Sequence, residues 1–323
     1  MNIARTEGRR LTQADDGSAE VEHGVVYVLA ASAALCSAVA GVLQRIGVES
    51  APAADAMRLR LLTNALKRGI WLLGFALLLV QFVLQATALR FGDLTVVQPI
   101  LTIELLFLIA ILGLVFHRHV GWREILGAVA IVVGLAGFII SANPAVGHGI
   151  PGSKAWGEVT VVVFVGAAIL VGTAQRGPRW WRATSFGAAA AVLFAYNASL
   201  TKATTTLITG GWGHVFTHWE PYALAATGLF GFFLLQNALH AGPIAASRAS
   251  MLMVNPVVSI IIGVAVFDEK LRGGPWFIAA EVLSLLVMLA GAFILTQSPL
   301  VAGSTLEGDQ GEILRPVVAP IPP

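Results

Sequence analysis

Nine long apolar runs constrain this chain more than any other feature of its sequence. Each holds at least 17 residues with few charges, and a bilayer core of about 30 Å is crossed by roughly 20 apolar residues in an α-helix. Because hydrocarbon offers the backbone no hydrogen bonds, we expect runs this long to be helices. The runs are Gly24–Ile46, Gly69–Leu89, Leu94–Phe116, Glu124–Ser141, Trp156–Thr173, Ser185–Thr201, Tyr222–His240, Ile244–Phe267 and Pro275–Thr296.

Composition excludes a soluble protein. Apolar residues make up 57% of the chain and charged residues 12%, whereas soluble domains average about 45–50% and 25%. The net charge is only +2 and the basic residues are dispersed between the apolar runs, so nucleic acid is not an expected partner. The single cysteine, Cys36, excludes an internal disulfide. We therefore predict an all-α, multi-pass membrane protein surrounded by membrane lipids.

The ends of the chain and its first long loop are polar. Residues 1–23 form a polar N-terminal tail, and the apolar run that follows is longer than the roughly 7–15 residues of a signal peptide. We therefore expect a retained first span. Residues 298–323 become polar and then proline-rich, which predicts a disordered tail. Pro52–Arg68 has leucines at helical spacing but four basic residues, which favours an interfacial amphipathic helix.

The distribution of basic residues predicts the orientation in the membrane. Loops one, three and five hold nine Lys and Arg residues, whereas the even-numbered loops hold five. The positive-inside rule then puts the odd loops in the cytoplasm, the N-terminus outside and the C-terminus inside a cytoplasmic membrane. Arg5, Arg9 and Arg10 favour the opposite orientation but lie 14 to 19 residues before the first span. The even-loop residues are Arg90, Lys154, Lys202, Lys270 and Arg272.

Short sequence matches indicate an internal repeat. Ala88-Leu-Arg-Phe-Gly92 recurs as Ala238-Leu-His-Ala-Gly242 at an offset of 150, and both copies close a span. Leu135-Ala-Gly137 recurs as Leu289-Ala-Gly291 at an offset of 154, near the end of each half. The alternative is that both matches reflect the shared Ala- and Leu-rich composition of membrane spans.

A repeat of this kind has inverted topology. Spans one to four match spans six to nine, and a displacement of five spans, being odd, reverses the second copy across the bilayer. Inverted repeats build secondary transporters, in which the halves rock about a site at the membrane midplane. The predicted parts are the first repeat at 24–141, a connector with span five at 142–183 and the second repeat at 184–297.

Residues of both halves resemble a transporter family. The run from Ala245 to Pro256 and the acidic turn Phe267-Asp-Glu-Lys-Leu271 resemble the EamA-type repeat of the drug/metabolite transporter superfamily. That resemblance implies an alternating-access transporter over roughly residues 24–297. Within the superfamily, the first half is similar to NIPA-type magnesium transporters but departs from them near Gln81 or Phe82, where they carry an acidic residue. The residues that carry this second similarity are Trp71, Gly74, Gln85, Ala88 and Val97-Gln98-Pro99.

Three charged side chains fall within predicted spans. A central charge costs roughly 2.5–3.5 kcal/mol on insertion scales, so Glu104, Arg248 and Glu281 are candidate functional residues. Glu104 lies ten residues into span three, about 15 Å deep, where it is placed to bind a cation or exchange a proton. Arg248 is its candidate charge partner, and the alternative is a purely structural ion pair. For Glu281 the alternative is a hydrogen bond to Ser284.

Uncharged polar residues surround a proline in each half. Pro99 and Pro256 are predicted helix breaks in spans three and eight, because proline lacks one helical N–H donor. The alternative for each neighbouring polar residue is an interhelical hydrogen bond, about 0.6 kcal/mol in a membrane bundle. The residues predicted to line a polar substrate cavity, with aromatic Tyr196, are Gln81, Gln85, Gln98, Thr102, Asn255 and Ser259.

No motif of a common enzyme class occurs. The chain lacks H-E-x-x-H, G-x-S-x-G and the Walker G-x-x-x-x-G-K-[ST] pattern, so we expect neither an enzyme nor a bound cofactor. His214 and His218 have a spacing that suits a metal, but no metal is assigned. Ala33, Ser37 and Gly41 recur every four residues, which indicates close helix packing or a homodimer.

These observations favour one function and leave alternatives. The first is an ion-coupled secondary transporter that moves a small metabolite or drug by alternating access. The second is a magnesium or other divalent-cation transporter. The third is a membrane scaffold or lipid-handling protein in which the polar groups serve only packing.

Overall fold

The protein consists of long apolar helices. The computed structural model describes residues 24–44, 69–117, 119–142, 151–208, 211–242 and 244–298. Within these ranges, nine helices are long and apolar enough to cross a membrane, which confirms the prediction of a multi-pass helical protein. The polar tail at 1–23, the segment Pro52–Arg68 and the tail beyond 298 lie outside the described residues.

The spanning helices agree with the predicted runs to within a few residues at most ends. A shorter helix, Trp212–Thr217, precedes the seventh span. The spans are α1 Gly24–Gln44, α2 Gly69–Phe91, α3 Leu94–Leu114, α4 Trp122–Ala142, α5 Ser153–Ala174, α6 Arg179–Leu207, α7 Glu220–Ala241, α8 Ile244–Phe267 and α9 Pro275–Thr296.

Helix α6 is the centre of the bundle. It has 29 residues, twelve more than the predicted run, and it packs against α2, α5, α7 and α8. Its middle carries Gly187 followed by four alanines, and a Cβ at Gly187 would collide with Ser247 and Ser250 of α8. Small side chains therefore let the neighbouring backbones approach closely.

Helix α3 is interrupted near its middle. It consists of two helical segments, Leu94–Leu101 and Glu104–Leu114, joined by a tight turn in which Thr102 N–H donates to the Pro99 carbonyl at 3.1 Å. Helix α8 differs, because it continues through Pro256 without a break. The prediction of a break at Pro256 was therefore wrong. A helix that keeps its remaining hydrogen bonds avoids exposing free backbone groups within the bundle.

Glycines hold α4 and α9 together. A Cβ at Gly134 would collide with backbone atoms of Met288 and Ser284, and a Cβ at Gly291 would meet Ala130 and Ile131. The two helices therefore pack nearly backbone to backbone. No side chain can be inserted at this crossing without separating them.

We expect Gly134→Ala to destabilise the protein by about 1–3 kcal/mol, the usual cost of overpacking a core. The neighbouring atoms are backbone and cannot rotate away. The matched control is Gly166→Ala in α5, where an added Cβ meets nothing within 4 Å. Thermal unfolding in detergent measures both variants, and equal melting temperatures would contradict this packing.

Candidate functional site

A buried ionic cluster lies at one end of the bundle. Lys202 Nζ donates to Asp93 Oδ1 at 2.9 Å and to Glu269 Oε1 at 2.7 Å. All three residues are buried, with 3%, 8% and 2% of Asp93, Lys202 and Glu269 exposed. We call these residues the Lys202 cluster. It joins the α2–α3 turn of the first half to α6 and the α8–α9 turn of the second half.

Glu269 also caps the first turn of α3. Its two carboxylate oxygens accept hydrogen bonds from the backbone N–H groups of Leu94 and Thr95, each at 2.9 Å. These N–H groups have no acceptor within their own helix, and a negative charge there is stabilised by the helix dipole. The same carboxylate therefore binds an ammonium group and a helix N-terminus.

The chain must turn back on itself to place this carboxylate. Asp268 has a positive φ of 52°, and the Glu269 N–H donates to the Gly263 carbonyl at 3.1 Å. A Cβ at Gly263 would collide with Glu269 Oε2. Glycine at 263 is thus required by the close approach of the Glu269 side chain.

The position of Lys202 corrects the sequence analysis. Lys202 was counted among the residues of loop six, but it lies inside α6 and is buried. Removing it from the even loops leaves the predicted orientation unchanged. Asp93 and Glu269 were not selected because each lies next to an apolar run, where a charge is ordinarily solvated. One feature of the sequence could have indicated the cluster: Asp93, Lys202 and Glu269 all belong to even-numbered loops, which are predicted to lie on the same side of the membrane.

A second polar feature joins α3 to α8. Asn255 Nδ2 donates to Gln98 Oε1 at 3.2 Å, so the structure brings together two residues that flank the prolines. Four buried polar atoms here, Thr95 Oγ1, Gln98 Nε2, Asn255 Oδ1 and Ser259 Oγ, have no hydrogen-bond partner among the described residues. We call these four residues the polar seam.

The polar seam carries a sequence match between the halves. Val97-Gln98-Pro99 and Thr102 correspond to Val254-Asn255-Pro256 and Ser259 at a constant offset of 157. The pair that forms the hydrogen bond therefore has equivalent positions in the two copies of this pattern. This match can be found in the sequence, but it is not an identity, because Gln98 is matched by Asn255 and Thr102 by Ser259.

Glu104 and Arg248 lie on the opposite side of the polar seam from the Lys202 cluster. Glu104 is half-buried, accepts a hydrogen bond from Ser37 of α1 and interacts electrostatically with Arg248. Arg248 is exposed. The structure thus brings together the predicted charge pair and adds Ser37 as a third contact.

Other predicted residues lie apart from the polar seam or form local contacts. Gln81 Nε2 donates to Gln85 Oε1 at 2.8 Å on α2. The Thr102 hydroxyl donates to the Pro99 carbonyl at 2.6 Å. Tyr196 shares a 2.6 Å hydrogen bond with Thr160. These contacts satisfy the side chains within or between neighbouring helices.

Glu281 and the histidine pair give no assembled site. Glu281 is buried in α9, and its Oε1 has no hydrogen-bond partner among the described residues. The hydrogen bond to Ser284, which is the alternative to a functional role, is not formed at that atom. The His214 and His218 rings lie 4.4 Å apart. Across the described ranges, no group of three or more His, Cys, Asp or Glu residues is arranged to hold a metal ion.

We expect Lys202→Met to destabilise the protein by about 3–5 kcal/mol, because it leaves two buried carboxylates without their cation. The triple variant Asp93→Asn, Lys202→Met, Glu269→Gln should recover part of that loss. The control is Lys154→Met, which removes an exposed pair with Glu158 at 3.8 Å and should change little. A melting temperature for Lys202→Met equal to that of the control would contradict a structural role for the cluster.

Comparison with known proteins identifies a relative. No family model matches the chain, and no solved structure matches it. It is 30% identical over 268 residues to an uncharacterized protein of Corynebacterium glutamicum. The match covers 78% of this chain and 88% of that relative, which includes most of the spanning region. The chain therefore belongs to the same family as the Corynebacterium glutamicum protein.

Proposed function

We propose that this protein is a secondary transporter of the drug/metabolite type, which moves a small polar metabolite or drug by alternating access. The observation that carries the proposal is the polar seam between α3 and α8. Its four unpartnered atoms are buried, and each such atom costs about 1–3 kcal/mol when it lacks a hydrogen bond. Separation of α3 from α8 would expose these groups to water or to a substrate, with which they could form the missing hydrogen bonds.

The seam lies between two sets of charged contacts. Along α8, Arg248 lies seven residues before Asn255, or about 10 Å. Gly263, which lies against the Glu269 side chain of the Lys202 cluster, is eight residues after Asn255, or about 12 Å. Glu104 with Arg248 joins the halves on one side, and the Lys202 cluster joins them on the other. Each set is therefore placed to act as a gate that opens while the other remains closed.

The inverted repeat is part of this proposal. Gly134 of α4 faces Met288 of α9, and these residues differ by 154, the offset of the Leu-Ala-Gly match. At the same offset of 154, Gly137 matches Gly291 and Ala130 matches Ser284. The contact of Gly137 with Ser284 therefore has its counterpart in the contact of Gly291 with Ala130. A pseudo-twofold axis through this crossing and through the Gln98–Asn255 pair accounts for both observations.

The chemistry of the polar seam favours a neutral or cationic organic substrate. It offers amide and hydroxyl groups but no carboxylate, and Glu104 is the nearest acidic candidate for coupling to an ion. A divalent cation normally requires several oxygen ligands with help from carboxylates. Glu104 already interacts with Ser37 and Arg248. We therefore place magnesium second, with Glu104 as its candidate ligand, and a scaffold or lipid-handling role third.

Cysteine accessibility tests alternating access without knowledge of the substrate. In a Cys36→Ala background, we expect Ser259→Cys to react with a membrane-impermeant maleimide from either side of the membrane, measured in right-side-out and inside-out vesicles. The control is Ser199→Cys in α6, a fully buried position outside the seam, which should react from neither side. A Ser259→Cys variant that is inert from both sides would favour the scaffold.

Ion flux tests the role of Glu104. In proteoliposomes that contain a pH dye and a divalent-cation indicator, we expect candidate metabolites to drive proton movement, and Glu104→Gln to abolish it while the protein remains folded. The control is Glu158→Gln, at an exposed position of α5. Normal flux through Glu104→Gln would refute the coupling role. Magnesium entry that depends on Glu104 would instead support the divalent-cation transporter.

A further inference from the structure

An open cavity lies where α5 ends and α6 begins. Its volume is about 540 Å³, within the roughly 300–1,000 Å³ of small-molecule sites. It is distant in sequence from the polar seam and takes no part in the proposed transport cycle. The residues that line it are Ile169, Gly172, Thr173, Gln175, Arg176, Gly177 and Trp181.

The cavity and the chain that follows it are basic. Arg176 lines the cavity, and Arg179 and Arg182, which do not line it, follow three and six residues later at the start of α6. All three are exposed, and no carboxylate of the described residues lies within ion-pair distance of them. Among those residues, the first turn of α6 also has no side-chain cap, so the positive end of the helix dipole adds to the same field.

The cavity and its edge are also suited to contact lipid. Of the lining residues, Ile169 is 61% exposed and Trp181 is 38% exposed, and the neighbouring Trp180 is 56% exposed. The two indoles pack edge to face at 5.7 Å at the end of a span, where tryptophan prefers the boundary between headgroups and acyl chains. A free anion would use the arginines but would gain nothing from this apolar surface.

We propose that this cavity binds the phosphate headgroup of an anionic phospholipid, with the arginines on the phosphate and Ile169 and Trp181 against the upper acyl chain. Basic pockets between spanning helices on the cytoplasmic side are a recurrent form of lipid recognition. The orientation predicted from the basic loops places the α5–α6 loop on that side. The bound lipid would hold α5 against α6, the central helix, independently of what the protein transports.

Thermal unfolding in detergent, with phosphatidylglycerol or phosphatidylcholine added, tests this site. We expect phosphatidylglycerol alone to raise the melting temperature, and Arg176→Gln, Arg179→Gln, Arg182→Gln to weaken that binding by about fivefold for each arginine. The control is Arg123→Gln, an exposed arginine at the start of α4, which should retain the response. Native mass spectrometry of the same samples counts the lipids that remain bound.

Three outcomes would overturn the proposal. Equal stabilisation by both lipids would show that the site does not select an anionic lipid. A full response to phosphatidylglycerol in the triple variant would place the lipid elsewhere. Equal stabilisation by inorganic phosphate alone would identify a simple anion site instead of a lipid site. None of these outcomes depends on whether the protein proves to be a transporter.

Discussion

The burial of Lys202 between two carboxylates is the interaction on which much of this structure depends. An ammonium group within a membrane bundle must be paired, because an isolated charge there is expensive. Glu269 reaches Lys202 only because the chain turns back at Asp268 and because Gly263 has no side chain. The same carboxylate caps α3, so one ionic contact fixes where α3 begins and how the halves meet.

The polar seam follows from this placement. With α3 held at its N-terminus, Gln98 lies against Asn255, and the unpartnered polar atoms are enclosed between the halves. These polar atoms lack hydrogen bonds in the closed arrangement, and in our proposal they gain them when the seam opens. In our account, the charged contacts on either side decide which end opens. The close glycine packing holds α4 and α9 together, and in our proposal this crossing lies on the axis that relates the two halves.

The sequence predicted the spanning helices well, because hydrophobic length alone determines them. It also selected Glu104, Arg248, Gln98 and Asn255, since polar groups in apolar runs are conspicuous. It missed Asp93 and Glu269, whose burial depends on how turns fold back between helices. It also misjudged Pro256, because whether a proline breaks a helix depends on the packing around it. These are tertiary properties that local pattern does not contain.

The central claim is that the two ends of the polar seam open alternately. Spin labels on Arg90 and Lys270 would report the end with the Lys202 cluster, and labels on Leu114 and Trp180 the opposite end, all at exposed positions in a Cys36→Ala background. Pulsed electron paramagnetic resonance measures the distance between the two labels at each end, with the protein in nanodiscs. We expect two distance populations at each end, which a transported substrate shifts in opposite directions. A single fixed distance at both ends under every condition would contradict the account.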